Sequence, residues 1–399
     1  MTRKLYQDDA YLFVFTAEVL ECRARDNENE VILDATAFYP ESGGQLYDLG
    51  SLDNHAVVNV YENDREQIIH LVQDGVFRPG QTVAGKIDQA RRLDNMRKHT
   101  GQHILSQAFV RAADARTVSS HLSDIECTIE LAREDLTPED FDRVESAAND
   151  IVRQNLTVTT SWYDREQLQT MPIRKIPNRE GRLRIVRIGD FDYTACGGTH
   201  CGHTGEIGLI KIIGSAKIRG HIRVTFLVGQ PALTDYQQKH RTTAELSARL
   251  TCHHTDLVEV IERKTDQIIS SRRETAQLRN QLFERELPEI MNTAEKVGAV
   301  GLVVRETGSD DMKVLKDQAL KITGEYTAVA VLYADDKLLV ASSKDSGLHA
   351  GDLIRHLAER HDLKGGGNPV LAQCGGIDPA RMTDIVESTV QLIRERLDR

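Results

Sequence analysis

Two pairs of metal-ligand residues with the same spacing, His99-Thr100-Gly101-Gln102-His103 and Cys196-Gly197-Gly198-Thr199-His200, lie far apart in this chain. The first falls in a stretch, 93–109, where apolar residues recur at three- and four-residue spacing. That spacing predicts a helix with both imidazoles on one face, a turn apart. The second pair sits in a glycine-rich stretch between apolar runs of β type, which predicts a tight loop wrapped around a cation. Three imidazoles and a thiolate from two distant segments predict one closed metal site, and this donor set favours zinc over calcium or magnesium. Either pair alone is a weak signal; together they make the case. Residue 100 is Thr, where a zinc protease helix would carry the Glu of His-Glu-x-x-His, which argues against peptidase chemistry of that kind.

A chain of 399 residues is long enough for several domains, and 40% hydrophobic content is ordinary for a globular protein. No run approaches the roughly 18 apolar residues of a membrane span. The amino end lacks an apolar signal core, so the expectation is a cytoplasmic protein with no membrane partner. Cys22, Cys127, Cys196, Cys201, Cys252 and Cys374 are too scattered for a disulfide framework and predict reduced thiols plus one metal thiolate. A formal charge of −11 argues against a protein that coats nucleic acid nonspecifically. The charge is unevenly spread, however. Between 173 and 188, Arg174, Lys175, Arg179, Arg182, Arg184 and Arg187 face only Glu180, and Lys211, Lys217, Arg219 and Arg223 follow. A phosphate-binding track and a solvated basic face explain these clusters equally well.

The elements that must hold the ligands follow from the pattern. Residues 1–88 alternate short β-type runs (12–20, 30–33, 56–61, 67–72, 82–87) with Gly, Asp and Asn turns, which predicts a small β-barrel. Residues 89–230 read as an α+β domain holding all four ligands, with strands at 126–131, 157–162, 183–188, 208–213 and 222–227. A further helix there opens at Thr137 as N-cap with Pro138 in its first position. Residues 231–297 carry few glycines and many charges, with Leu246, Leu250, Leu257, Val260, Ile261, Ile268, Ile269, Leu278, Leu282 and Leu287 at helical intervals. They predict long helices, paired as an antiparallel hairpin or as an intermolecular coiled coil. Residues 298–399 read as α/β, with strands at 300–304, 327–333 and 337–341 and helices at 312–322, 350–360 and 381–397. Within them, Leu363-Lys364-Gly365-Gly366-Gly367-Asn368-Pro369 could bring backbone amides close to a phosphate, with Lys344, His349 and Lys364 adding charge. A structural turn explains these glycines almost equally well. The fold class is multidomain α+β.

In their local settings these motifs resemble the editing domain of alanyl-tRNA synthetase and its free-standing AlaX relatives. The resemblance is carried by Arg97-Lys98-His99-Thr100-Gly101-Gln102-His103-Ile104-Leu105 and by Thr194-Ala195-Cys196-Gly197-Gly198-Thr199-His200 followed by Thr204-Gly205-Glu206-Ile207-Gly208. Phe38-Tyr39-Pro40-Glu41-Ser42-Gly43-Gly44-Gln45, with Asp48 and Gly50, resembles the glycine-rich motif of the preceding barrel domain. Ser215-Ala216-Lys217-Ile218-Arg219-Gly220-His221-Ile222-Arg223-Val224 resembles the segment that closes the site, and the carboxy-terminal glycine motifs are similar to the DHH-associated domain of the longer members. The resemblance covers nearly the whole chain and starts at the barrel, so the expectation is a protein with no adenylate-forming core ahead of it.

The resemblance implies a stand-alone editing hydrolase that removes serine, with glycine as a second candidate, from tRNA(Ala). A synthetic site sized for alanine rejects serine only modestly and cannot exclude glycine, so a second hydrolytic site is the usual remedy. It implies zinc on His99, His103, Cys196 and His200, polarising the ester carbonyl, acidifying water, or anchoring substrate. Gln45 is then expected to orient substrate or water from the barrel side, a plain turn residue being the alternative. Ser120 falls where relatives read the substrate's side chain, ordinary strand polarity being the alternative. Lys217, Arg219 and Arg223 are expected on acceptor-stem phosphates, and Gly365, Gly366 and Gly367 in a terminal domain that binds tRNA or dimerises. The implied partners are mischarged tRNA(Ala) and a second copy of the chain. Cys201 and His203 depart from the family pattern. They either compete for the metal or sit as buried loop residues, the latter favoured because adjacent His200 and Cys201 cannot easily converge on one ion. Two other functions compete: deacylation of another mischarged tRNA such as seryl-tRNA(Thr), against which Gly43-Gly44-Gln45 argues, and a non-catalytic zinc-stabilised tRNA-binding module.

Overall fold

Alternating apolar residues curl the amino-terminal strands into a closed barrel. Its strands are, in order round the ring, Val14–Arg25, Glu28–Leu33, Ile68–Gln73, His55–Glu62, Gly50–Leu52 and Thr82–Ile87. Closure leaves no strand edge open, and Val19, Val31, Leu33, Leu52, Val60, Ile68 and Val72 fill the interior around Phe15 and Phe38. The short strand Gly50–Leu52 had no signal in the sequence pattern; it bridges two longer strands to complete the ring. The computed structural model describes residues 2–25, 28–174, 181–308 and 311–398, divided into two units, 1–245 and 246–399. Lys175, Arg179 and Glu180 lie outside the described residues.

His70 is wholly enclosed in the barrel core. Its Nδ1 lies 3.0 Å from the Val31 carbonyl, which can only accept, so Nε2, 2.8 Å from Thr36 Oγ1, accepts from that hydroxyl. Burial pushes its pKa down to about 4. The unfolded chain, with an imidazole near 6.5, therefore binds more protons than the fold between those two values. Stability is fully present above pH 6.5 and falls as pH drops towards 4, by about 3 kcal/mol from this residue. Urea midpoints measured across that window should fall with acid in the wild-type chain and lose most of that slope in His70→Gln.

The remainder of the first unit is built round the helix Gln89–Ala113, longer at both ends than its apolar periodicity indicated. Asp88 caps it through Arg91 N, and Asp114 ends it in a left-handed conformation. Its middle is buried almost all round, with Met96, Ile104, Leu105 and Phe109 in the core. Gly101 permits this: a Cβ there would lie 3.1 Å from both methyls of Val228. Two antiparallel sheets flank the helix. One runs in the order Ile210–Ile218, His221–Val228, Cys127–Leu131, Thr117–His121, and the other Val158–Tyr163, Leu183–Ile188, Asp192–Ala195. The helix Pro138–Arg153 starts at a capping box between Thr137 and Asp140 with proline in its first turn, as its sequence predicted.

A buried ion pair fastens the barrel to this helix. Arg92 and Asp48 are both fully enclosed. Arg92 Nε lies 3.0 Å from each Asp48 oxygen, and its other nitrogens donate to Ala10 O at 2.8 Å and Ala37 O at 2.5 Å. Asp48 also accepts from Tyr39 N at 2.6 Å.

In the second unit, the helix Leu257–Thr293 precedes a six-stranded mixed sheet ordered Glu295–Val297, Val300–Glu306, Ala328–Ala334, Lys337–Ser342, Leu371–Gly375, Lys364–Gly367. Helices Met312–Glu325, Ala350–His361 and Met382–Leu397 complete it. Ile261, Ile268, Ile269, Leu278 and Leu282 on the long helix are exposed. Gly365, Gly366 and Gly367 form neither a loop nor a turn; they lie in the edge strand Lys364–Gly367. A Cβ at Gly367 would lie 2.3 Å from Ala372 Cα, and one at Gly365 2.7 Å from Cys374 Cβ, so close packing accounts for both. Only Gly366 of the three has open space about it. Among the described residues no helix is long and apolar enough to cross a membrane.

Candidate metal centre

His99 and His103 project from the long helix, while Cys196 and His200 come from the loop that follows strand Asp192–Ala195. One ligating atom from each lies within 4.8 Å of all the others. Cys196 Sγ is 3.4 Å from His99 Nε2 and 3.4 Å from His200 Nε2. Gly198 lets the loop come this close: a Cβ there would lie 2.2 Å from His99 Cε1. Arg184, from the middle strand of the smaller sheet, holds the loop's shape by donating to Cys196 O at 3.0 Å and Gly198 O at 2.8 Å.

The Nδ1 atoms of His99 and His200 each meet a hydrogen-bonding partner, and that of His103 faces a carboxylate beyond hydrogen-bond distance. His99 Nδ1 is 2.6 Å from Gln45 Oε1, which also accepts from Thr199 N at 3.1 Å, while Gln45 Nε2 donates to Thr199 Oγ1 at 2.8 Å. Thr100 Oγ1 donates to Met96 O at 2.8 Å and lies 3.3 Å from His200 Nδ1. His103 Nδ1 is 3.6 Å from the buried Asp192 carboxylate. Arg174 grips that carboxylate, with Nε 2.7 Å from Oδ1 and Nη2 2.9 Å from Oδ2. A carboxylate or carbonyl behind a histidine fixes its tautomer and leaves Nε2 as the free donor atom, the usual second layer of a metal site.

Electrostatics agree with a donor set for a cation. Burial opposes charge on Cys196, but the imidazoles of His99, His200 and His103 outweigh it and hold the thiol well below its usual range. Burial, with His99 beside it, pushes His200 down to about 3. A thiolate with buried imidazoles, every ring turned inward, is a set that fits a metal ion. Cys196 is the one ligand of the four that is partly exposed.

The other expected site residues are spread more widely. Ser120 lies in strand Thr117–His121, where the barrel's Gly44 approaches it; a Cβ on Gly44 would lie 2.7 Å from Ser120 O. Lys217 and Arg219 are exposed at the tip of the hairpin formed by Ile210–Ile218 and His221–Val228, whereas Arg223 is tied to Glu130 at 2.6 Å. Of the described members of the first basic cluster, Arg174 on Asp192 and Arg184 on the cysteine loop serve the interior, while Arg182 pairs with Asp164 and Arg187 with Asp190 at the surface. Cys201 stands outside the four-atom group, 2% exposed in the core, its thiol pushed up to about 12 by burial. His203 opens the short helical turn Thr204–Ile207. Asp192 and Thr199 had no assigned role in the sequence, Thr100 served there only to argue against a protease helix, and Arg184 was read as part of a basic cluster; the one available signal was Asp192's position just ahead of the cysteine loop.

Residues 183–225 match the threonyl and alanyl tRNA synthetase second additional domain, 7–91 match class II (A) tRNA synthetases, and 299–395 match the DHHA1 domain. The alanine–tRNA ligase of Methanococcoides burtonii is 28% identical over 100% of this chain and 45% of its own length. That of Thermococcus kodakarensis is 30% identical over 98% of this chain and 44% of its own. This is an AlaX-like chain, resembling the editing and carboxy-terminal domains of alanyl-tRNA synthetase. It spans less than half the length of the curated relatives it matches. Among solved structures, the C-Ala domain from Aquifex aeolicus alanyl-tRNA synthetase covers 27% of this chain and 99% of itself, at 24% identity and a TM-score of 0.22.

Proposed function

We propose that the chain is an aminoacyl-tRNA deacylase that releases serine, and glycine as a second substrate, from mischarged tRNA(Ala), at a zinc site made by His99, His103, Cys196 and His200. The observation that carries this reading is the convergence of the four ligating atoms within 4.8 Å in a chain akin to alanine–tRNA ligases over its whole length. When bound, zinc would supply Lewis-acid polarisation of the ester carbonyl, an acidified water, or an anchor for the substrate. Four protein ligands make a closed site, so the ester approaches from the side of Cys196, the partly exposed ligand.

Gln45 serves this chemistry through His99. Its Oε1 is engaged by His99 and Thr199, and its Nε2 by Thr199, so it positions a ligand and thereby the substrate. Gln45→Ala is expected to weaken zinc binding by roughly 10–100-fold, read by competition with a chromogenic chelator. Ser120, where the strand meets the barrel, is the proposed reader of the serine hydroxyl. Lys217 and Arg219 are exposed and suited to acceptor-stem phosphates; Arg223, already paired, braces their hairpin. The terminal domain, with Gly366 on an exposed sheet edge, is assigned to tRNA binding. The exposed face of Leu257–Thr293 is assigned to pairing with a second copy as a coiled coil. The chain is assigned to the cytoplasm.

A second reading, deacylation of seryl-tRNA(Thr), is favoured by a matched domain that threonyl and alanyl enzymes share. Parallel assays on seryl-tRNA(Ala) and seryl-tRNA(Thr) separate the two: the proposal requires faster release from tRNA(Ala).

A further inference from the structure

Trp162 is the single tryptophan of the chain, and it is 41% exposed. Its place in the smaller sheet is informative. Trp162 in edge strand Val158–Tyr163 is the register partner of Arg184 in the middle strand. Across the opposite edge, Ile185 pairs with Ala195, and Cys196 N donates to Arg184 O at 3.0 Å. Directly opposed residues of antiparallel strands put their side chains on one face, so Trp162, Arg184 and Cys196 form a row across the sheet. Two strand spacings separate the ends of that row, about 10 Å.

The middle of the row is rigid. Arg184, 6% exposed, carries the carbonyls of Cys196 and Gly198, and its Nε is enclosed without a hydrogen-bond partner. On the same face Val186 is fully buried, so the surface passes from packed core to solvent at Trp162. The backbone there is held by Arg182, whose Nη2 donates to Trp162 O at 3.0 Å and whose Nε lies 3.6 Å from the Asp164 carboxylate. A flat indole open to solvent offers a stacking surface for an unpaired base.

We infer that Trp162 is a stacking platform for the terminal nucleobase of an RNA acceptor end whose aminoacyl ester lies at Cys196. The inference rests on the deacylase reading for the identity of the RNA. In a 3′-aminoacyl nucleotide the ester and the base lie on opposite sides of one ribose, so a base on Trp162 sets the ester towards the other end of the row. Stacking on an aromatic face recognises an unpaired base without reading its edge, which suits the invariant end shared by all tRNAs. Discrimination among tRNAs must then come from other contacts.

The single tryptophan makes the test direct. The full-length protein is titrated with a deacylated acceptor-stem hairpin of tRNA(Ala) ending in CCA, and with the same RNA lacking the terminal adenosine, while indole fluorescence is followed. The expected result is saturable quenching by the first RNA and about tenfold weaker binding by the second. Trp162→Ala should raise KM for seryl-tRNA(Ala) about tenfold, with kcat and zinc content unchanged, and Trp162→Phe should restore most of the loss. Quenching that ignores the terminal adenosine, no quenching, or an unchanged KM in Trp162→Ala would each overturn the inference. Discriminating quenching by a protein that releases no amino acid would retain the platform and remove the deacylase reading. Normal deacylation with Trp162→Ala unaltered would do the reverse.

Discussion

Cys196→Ser is expected to lower metal affinity by more than roughly 100-fold, since removal of a ligand exceeds the loss of its second-layer partners. Serine release from seryl-tRNA(Ala) should fall to background with it. The fold should survive, because the first unit has an extensive apolar core, from Met96 and Phe109 to Ile129 and Phe226, against which Cys196 packs only as a partly buried neighbour. Binding of deacylated tRNA should therefore persist in the variant, measured by filter retention at fixed salt. This outcome separates an enzyme from the non-catalytic zinc-stabilised binding module, in which metal loss would take fold and RNA binding together. Circular dichroism on the same samples supplies the structural control. Gly198→Ala should act alike through geometry, since its methyl would occupy the space of the His99 ring.

Asp48→Ala is expected to destabilise the first unit by about 3–5 kcal/mol, the range for breaking one half of a buried ion pair. The reason is the guanidinium of Arg92, left charged in a fully enclosed position with only the carbonyls of Ala10 and Ala37 as partners. For a unit of this size the unfolding midpoint should fall by about 10 °C, read by calorimetry. Replacing Arg92 and Asp48 together by Met and Leu should recover most of that stability, because neither buried charge remains. Function should suffer even where the fold holds. Asp48 and Gln45 belong to one barrel segment, and Gln45 is the partner of His99 Nδ1. Loosening the segment frees the imidazole to turn, so the Asp48→Ala protein should bind metal more weakly at temperatures well below its unfolding midpoint.

The site was legible in the sequence wherever spacing carries the information. The His99–His103 pair on a helix and the Cys196–His200 pair round two glycines announce their geometry through local periodicity and turn chemistry alone. The layer behind them has no such signature. Asp192 and Arg174 converge on His103 only because strand and loop meet there in three dimensions, and charge counting placed Arg174 and Arg184 in a surface cluster when both serve the interior. A run of arginines in a sequence does not disclose which of them face a buried carboxylate or carbonyl. Among the elements, the barrel, the long helix and the α/β arrangement of the second unit followed from hydrophobic alternation. Gly50–Leu52 and Lys364–Gly367 escaped notice for opposite reasons. The first is too short to show alternation, and the second is glycine-rich, which erases the β signal although close strand packing at Gly365 and Gly367 demands the missing side chains.

Zinc-dependent removal of serine is tested most directly by one assay: purified protein incubated with seryl-tRNA(Ala) and with alanyl-tRNA(Ala), with and without removal of zinc by a chelator. The expected result is rapid release of serine, retention of alanine, loss of serine release on chelation, and recovery when zinc is returned. Retention of both amino acids by a zinc-loaded protein that still binds the tRNA would contradict it.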